Sequence, residues 1–276
     1  MSEKPYGSGA PLSYNEYLRV PDLIELQNCL SDPAHHDELL FITVHQTYEI
    51  WFKQILHEID AAIAALNADR PPLAARALLR IVEIEKILVN QIHILETMTP
   101  LNFLGFRDEL NPASGFQSTQ FREIEFSSGL KDEALLRAFA DDDFATRRLQ
   151  TRFDAPTLAD AFFAFLARRG FEVATAAQRT RAALEVLTHF EERDREFQIA
   201  EGLIAHDEYF GLWRVHHVRM VERMMGTKRG TGGSEGVGYL RTTLDKKFYP
   251  ELWAARTHLG AGHDGGAAGC PFAGQV

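Results

Sequence analysis

Two segments with the pattern of long helices each place a histidine among apolar side chains. The first is LFITVHQTYEIWFKQILHEID, residues 40–60, in which the neighbours of His45 at helical spacings are Phe41, Tyr48 and Phe52. On a helix these side chains share one face, so the imidazole points inward. An inward imidazole can do chemistry in a cavity, although a core histidine satisfied by a nearby carbonyl or carboxylate is the commoner case.

The second segment, WRVHHVRMVERMM, residues 213–225, carries two adjacent histidines that a helix points about 100° apart. His217 shares its face with apolar residues and His216 with basic ones, respectively Trp213, Met220, Val221 and Met224, and Arg219 and Arg223. A buried histidine among tryptophan and methionine suits the single axial ligand of haem iron, because a flat apolar macrocycle needs large, polarizable neighbours. An amphipathic core helix with one inward histidine explains the pattern equally well.

Arg107 lies near the apolar residues Phe103, Phe106 and Leu110 in NFLGFRDELNPASGF, residues 102–116. Such an arginine is usually a salt-bridged surface residue, but its guanidinium fork can also hold a substrate carboxylate in a dry pocket. The flanking Phe103 and Phe106 favour the pocket.

The glycine-rich segment GTKRGTGGSEG, residues 226–236, follows the helix that carries His217. It lacks the GxxxxGK[ST] pattern and precedes no helix of a βαβ unit, so we exclude nucleotide binding. A hinged lid, in which Thr231 hydrogen-bonds a ligand, is one interpretation and a plain connection is the other.

Other metal chemistry finds little support in the sequence. His206 and Glu208 formally fit half of a non-haem iron triad, but residues two apart on a helix point roughly 200° apart and cannot share one ion. No HExxH motif and no ExxH pair occurs.

Spacings of three and four dominate the chain, which predicts an all-α fold. We expect a first long helix with Asp32 as its cap and Pro33 at its first position, ending near Asn67. A second long helix, from about residue 72 to 99, should pack antiparallel to it. The aromatic-rich segment 100–121 is too rich in Asn, Pro, Gly and Ser for one helix but should be packed. Shorter helices, another long one ending at Gly226 and short ones near Tyr239 and Phe248 should follow.

Composition narrows the class of protein. The chain has 276 residues and a net charge of −10, which argues against binding to nucleic acid or an anionic membrane. Cys29 and Cys270 are too few for a disulfide framework, and neither a signal peptide nor a membrane span is evident, so we expect a cytoplasmic protein. We expect one domain over residues 14–259, with a disordered segment 1–13 and a flexible tail 260–276.

Three blocks together resemble the tryptophan 2,3-dioxygenase family, in its bacterial, haem-dependent form: LFITVHQTYEIWFKQILHE, LETMTPLNFLGFRDELNPASGFQSTQFR and WRVHHVRMVERMMGTKRGTGGSEGVGYLR. The likeness covers most of the chain from about residue 14 to 249. It implies an all-α bundle of long antiparallel helices enclosing a haem pocket, with one haem b per subunit of a homotetramer. The implied reaction opens the indole ring of L-tryptophan with dioxygen to give N-formyl-L-kynurenine, the first step of the kynurenine pathway.

The resemblance also implies roles for individual residues. His217 matches the axial ligand of the haem iron and His45 the catalytic distal histidine. The implied substrate-binding residues are Phe41, Ile42, Thr43, Val44, His45, Phe103, Arg107 and Thr231, with Tyr14, Tyr17 and Leu18 supplied by a neighbouring subunit, and the implied haem-pocket residues are Trp213, Ser114 and Gly115. Arg107 would pair with the substrate carboxylate. Phe103 stands where some bacterial relatives carry tyrosine, so any hydroxyl contact to that carboxylate is missing here.

Three other possibilities are open at this stage. A haem-binding sensor or carrier would keep His217 but would have no use for Arg107 and Thr231. An all-α interaction protein without a cofactor would be colourless when purified. The related indoleamine enzyme accepts a broader range of indoles, but the three blocks favour the tryptophan-specific family.

Overall fold

The computed structural model describes residues 12–228 and 236–260, and within these ranges every regular element is a helix. The prediction of an all-α chain is confirmed. Thr231 and nearly all of both predicted flexible termini lie outside the described residues. Within the described part, no helix is both long and apolar enough to cross a membrane.

The helices are numbered in chain order. Their bounds are α1 Tyr14–Leu18, α2 Val20–Leu23, α3 His36–Asn67, α4 Pro71–Leu95, α5 Pro100–Phe106, α6 Thr119–Ser128, α7 Glu133–Ala138, α8 Asp143–Asp154, α9 Leu158–Ala167, α10 Ala176–Thr188, α11 Asp194–Met225, α12 Val237–Arg241 and α13 Pro250–Thr257. Two 3-10 turns, Arg107–Leu110 and Gly115–Gln117, lie between α5 and α6.

Helices α3 and α4 pack antiparallel, as predicted. The Tyr48 hydroxyl donates to the Leu88 carbonyl at 2.8 Å, and the Gln91 amide donates to the Val44 carbonyl at 2.8 Å. These pairs join early residues of α3 to late residues of α4, and their buried polar groups are thereby satisfied.

The predicted start of α3 is wrong, because the helix begins at His36 and not at Pro33. The carboxylate of Glu38 accepts from the backbone N–H groups of Leu30 and Ser31, at 2.6 and 3.0 Å. These bonds fold the preceding chain back onto the first turn of the helix. His35 then caps α3, with its Nδ1 accepting from the Asp37 N–H at 3.2 Å.

Helix α11 runs parallel to α4 and therefore antiparallel to α3. Near its start, Gly202 lies against Leu78, and further along, the ring of His216 lies 5.4 Å from that of His93. Buried apolar residues of α3, α4 and α11, together with the phenylalanines of α9, form one large hydrophobic core. Because these three helices are long and regular, the position of a residue along each helix determines the direction of its side chain.

The aromatic-rich segment after α4 is broken into α5 and the two 3-10 turns, and it is packed as predicted. Thr99 caps α5 with Pro100 at the first helical position. Phe106 is fully buried, and its ring contacts those of Phe41 and Phe103 at 5.7 and 5.6 Å. A segment without a long helix is thus attached to the core by its phenylalanines.

Candidate active site

A cavity of about 550 Å³ lies between α3, α4, α5, α6, α11, α12 and the segment that joins α5 to α6. Its wall is mostly apolar, and its volume is in the range of roughly 300–1,000 Å³ typical of sites for small molecules and cofactors. Both inward histidines of the sequence line it, His45 from α3 and His217 from α11. Helical phase places them there, since α3 and α11 are long and regular.

The imidazole of His45 has a defined tautomer. Its Nδ1 lies 2.7 Å from the carbonyl oxygen of Phe41, which can only accept, so Nδ1 carries the proton and donates. The ring also packs on that of Phe41, with centroids 4.0 Å apart. Burial lowers the pKa of His45, so the ring is neutral near pH 7 and Nε2 keeps its lone pair.

His217 is a second neutral imidazole. Burial, and to a smaller degree the proximity of His45, lowers the pKa of His217 to about 4. Its ring stacks on that of Trp213, with centroids 4.8 Å apart and planes inclined by 9°. Within the described residues it makes no hydrogen bond, so a lone pair is available to a ligand in the cavity.

His216 is excluded from the cavity wall, as the helical wheel predicted. It is half-buried against His93, however, where the arginines on its face had suggested full exposure to solvent. The distinction between the two adjacent histidines therefore rests on direction more than on exposure.

Arg107 begins the 3-10 turn directly after α5. Its side chain is 16% exposed, and its guanidinium lies 3.8 Å from the carboxylate of Asp108, which is almost fully exposed. That pair contributes little, because the exposed carboxylate stays in water. Phe103 and Leu110, which flank Arg107 in the chain, line the cavity, whereas Arg107 itself lies beside it.

Sequence reasoning missed a buried charged trio in the cavity wall. Arg122 and Arg214 each donate to the carboxylate of Glu125, at 2.7 and 2.8 Å, and all three residues line the cavity. Two guanidinium groups share one carboxylate, so the trio has one positive charge in excess. The i, i+3 spacing of Arg122 and Glu125 on α6 was a local signal, but Arg214 comes from α11, which no local pattern shows.

Two buried N–H groups of this wall have no hydrogen-bond partner within the described residues, the Nε of Arg122 and the Nε of Arg214. An unsatisfied buried donor costs free energy, so native proteins normally pair it. Together with the excess positive charge, these donors suit a ligand that brings negatively charged oxygens.

The remaining predicted site residues divide into two groups. Phe41, Phe103, Ser114, Gly115 and Trp213 line the cavity together with both histidines. Ile42, Thr43 and Val44 do not, since successive residues of a helix turn away from a face by about 100°. Their predicted contact with substrate stays a prediction, and so does that of Thr231, which lies outside the described residues.

Tyr14, Tyr17 and Leu18 lie on α1, whose start is fixed by a capping box between Ser13 and Glu16. They expose 74%, 70% and 44% of their surface and take no part in the cavity of their own chain. Exposed aromatic side chains on so short a helix are available for contact with another molecule.

The structure explains why His206 and Glu208 cannot bind the same metal ion. His206 is fully buried, with Nδ1 2.7 Å from Glu85 Oε1 and Nε2 2.9 Å from Ser128 Oγ, while Glu208 is exposed on the other side of α11. Asp207 accepts three N–H bonds, from Phe248, Tyr249 and the Trp253 ring. The described residues contain no group of three or more His, Cys, Asp or Glu that could hold a metal ion.

The fold and the cavity define an all-helical protein with two neutral histidines facing one internal site. The family model of tryptophan 2,3-dioxygenase matches residues 3–168 and 161–259 of the chain. The chain therefore belongs to the tryptophan 2,3-dioxygenase family.

Curated relatives agree with this assignment. The chain is 51% identical to the tryptophan 2,3-dioxygenase of a Nocardioides species over 257 residues, covering 91% of this chain and 96% of that protein. It is 42% identical to the tryptophan 2,3-dioxygenase of Kineococcus radiotolerans, with 91% and 92% covered. For the enzyme of that name from Herpetosiphon aurantiacus, the identity is 43%, with 90% and 98% covered.

Proposed function

We propose that this protein is a haem-dependent dioxygenase that opens the indole ring of L-tryptophan with dioxygen to give N-formyl-L-kynurenine. One observation carries the proposal beyond family membership: His45 and His217 face the same apolar cavity and both are neutral near pH 7. One neutral imidazole can then bind iron while the other accepts a hydrogen bond.

The residues of the cavity fit haem. His217 offers a neutral ring nitrogen of the kind that binds haem iron, and Trp213, Met220 and Met224 give the polarizable surroundings of a macrocycle. The unsatisfied N–H groups of Arg122 and Arg214 would receive the two carboxylates that haem carries. When bound, ferrous haem supplies the binding and activation of dioxygen.

His45 is the residue that orients the indole. With Nδ1–H committed to the Phe41 carbonyl, Nε2 can accept a hydrogen bond from the indole N–H. This bond would fix the ring edge next to the reacting centre, while Phe41 and Phe103 exclude water. Attack at the pyrrole double bond needs no strong base, so His45 positions the substrate and does not have to take its proton.

Arg107 and Phe103 determine how the amino-acid end of the substrate is held. Arg107 lies beside the cavity at the end of α5 and would form a charge-assisted pair with the carboxylate. Phe103 lines the wall but has no hydroxyl to add a bond. Thr231 would contact the same end of the substrate.

We extend the proposal to the assembly and the chain boundaries. The protein would be a cytoplasmic homotetramer with one haem b per subunit, in which the exposed Tyr14, Tyr17 and Leu18 enter the site of a neighbouring subunit. The functional domain would comprise residues 14–259.

The test uses the purified full-length protein with supplied hemin. We expect an intense absorbance near about 400 nm from bound haem and, after anaerobic reduction, formation of N-formylkynurenine when L-tryptophan and dioxygen are added. Haem binding without product would indicate a sensor or carrier. A preparation that stays colourless after hemin is added would overturn the proposal.

A further inference from the structure

Helix α5 is too short to hold its own position. It has seven residues, and an isolated helix of that length is unstable in water. Its position must therefore come from contacts with the rest of the protein. This matters because Phe103 lies on α5 and Arg107 follows it directly.

The apolar contacts of α5 do not fix its register. Phe103 and Phe106 contact Phe41 of α3, with ring centroids 5.9 and 5.7 Å apart. Ring contacts have preferred geometries, but they define the position of a helix along its axis less sharply than a hydrogen bond or a close steric contact with its backbone. A contact that fixes this position must be steric or hydrogen-bonded.

Two such contacts connect α5 with the start of α3. The amide of Asn102 donates to the carboxylate of Asp37 at 2.7 Å. Gly105 lies against the ring of His35, so closely that a Cβ at position 105 would lie 3.0 Å from Nε2 and 3.1 Å from Cδ2.

The ring of His35 cannot easily give way. Its Nδ1 caps α3 by accepting from the Asp37 N–H, and its backbone N–H donates to the Ser31 hydroxyl at 2.8 Å. The ring also packs on that of Phe106, with centroids 5.4 Å apart. It therefore acts as a fixed surface for the backbone of α5.

Glycine at position 105 is required for space and not for backbone freedom, because its φ lies outside the left-handed region. Helix propensity alone favours alanine there. We propose that His35 and Gly105 form a seat for α5, and that this contact positions Phe103 and Arg107 against the amino-acid end of the substrate. The proposal rests on the proposed function, in which Arg107 binds the substrate carboxylate.

The test is a double-mutant cycle in the haem-loaded full-length protein. In G105A, we expect the KM for L-tryptophan to rise about threefold to tenfold with kcat within about twofold, because the clamp moves while the reacting centre does not. The inhibition constant of 3-methylindole, which has no carboxylate, should stay unchanged. G211A is the matched control, since a Cβ on that helical glycine meets nothing within 4 Å, and its KM should equal that of the parent.

The second arm replaces His35 with a smaller residue that also caps helices, in the variant H35S. In the H35S background, adding G105A should change KM by less than about twofold, because the clash is relieved. Two results would overturn the seat: a G105A variant with the parent KM, or a double variant whose KM rises as much as that of G105A alone.

The failure of the seat is distinguishable from failure of the proposed function. If R107A raises the KM but G105A does not, the carboxylate clamp stands and the seat is wrong. If the parent binds no tryptophan, the proposed function fails, and a crystal structure of G105A still decides whether α5 moves away from His35.

Discussion

Helix α11 carries two inward-facing histidines eleven residues apart, which places them on nearly the same face of the helix. His206 has hydrogen-bond partners at both ring nitrogens, Glu85 and Ser128, and packs in the core. His217 has none within the described residues and faces a cavity. The comparison shows that helical phase alone does not separate a structural histidine from one available to a ligand, whereas hydrogen-bond saturation of the ring does.

The largest expected effect is the loss of haem in H217A. Within the described residues, His217 is the only imidazole that α11 directs into the cavity, so its removal would leave the iron without an axial ligand, and we expect a preparation with little haem absorbance and no dioxygenase activity. H216A is the matched control, because the adjacent ring does not line the cavity, and it should bind haem as the parent does. An H217A variant that still binds haem and is active would show that His217 is not the haem ligand.

His206 should show the opposite behaviour. Its replacement in H206A leaves the buried carboxylate of Glu85 without its partner, and burial already raises the pKa of Glu85. Breaking a buried pair in this way costs about 3–5 kcal/mol of stability. Urea denaturation should measure that loss, while the folded fraction should keep the haem spectrum of the parent.

The matched control for H206A is E85Q, which keeps an oxygen to accept from His206. Its loss in the free energy of unfolding should be nearer to about 1 kcal/mol, the typical net value of one hydrogen bond. If E85Q instead lost as much stability as H206A, the charge of the carboxylate, and not the oxygen that accepts the hydrogen bond, would account for the pair.

Arg107 ranks next in expected effect. A charge-assisted bond contributes about 1.5–3 kcal/mol, so R107A should raise the KM for L-tryptophan roughly tenfold to a hundredfold. The haem spectrum should not change, since Arg107 lies beside the cavity and not in its wall. An R107A variant with the parent KM would show that the carboxylate is bound elsewhere.

The comparison of the two histidines also shows what the sequence could predict. Periodicity selected His217 over His216, because a long regular helix keeps its phase over many turns. It could not show that His206 is satisfied, since the partner Glu85 lies on another helix, 121 residues away in the chain. The difference between His206 and His217 becomes visible only once the packing of α4 on α11 is known.

Two other features that the sequence did not predict, the start of α3 and the charged trio, also depend on contacts with residues outside the local pattern. The sequence misplaces the start of α3 because the backbone N–H groups that donate to the Glu38 carboxylate override the usual preference for proline at a first helical position. The trio of Arg122, Glu125 and Arg214 was missed because its members come from two helices far apart in the chain. The phenylalanines after α4, in contrast, correctly predicted a packed segment, since that many aromatic residues must be buried.

The smallest effects should come from His45, whose Nδ1 is bonded to the Phe41 carbonyl and whose Nε2 would accept from the indole N–H in the proposed function. H45A should retain haem and lower kcat about tenfold through loss of positioning.

The pH dependence of the parent enzyme tests the same residue. Because burial lowers the pKa of His45, activity should stay constant as the pH falls through 6.5, the ordinary pKa of histidine. It should decline only at lower pH, where the ring takes a proton and Nε2 can no longer accept a hydrogen bond. The pH profile of kcat/KM measures this decline, which should be absent in H45A. A parent profile that already falls at pH 7 would show that His45 takes up a proton in the cavity near neutral pH. A free ring nitrogen facing the cavity would then not be enough to identify a histidine that is available to a ligand.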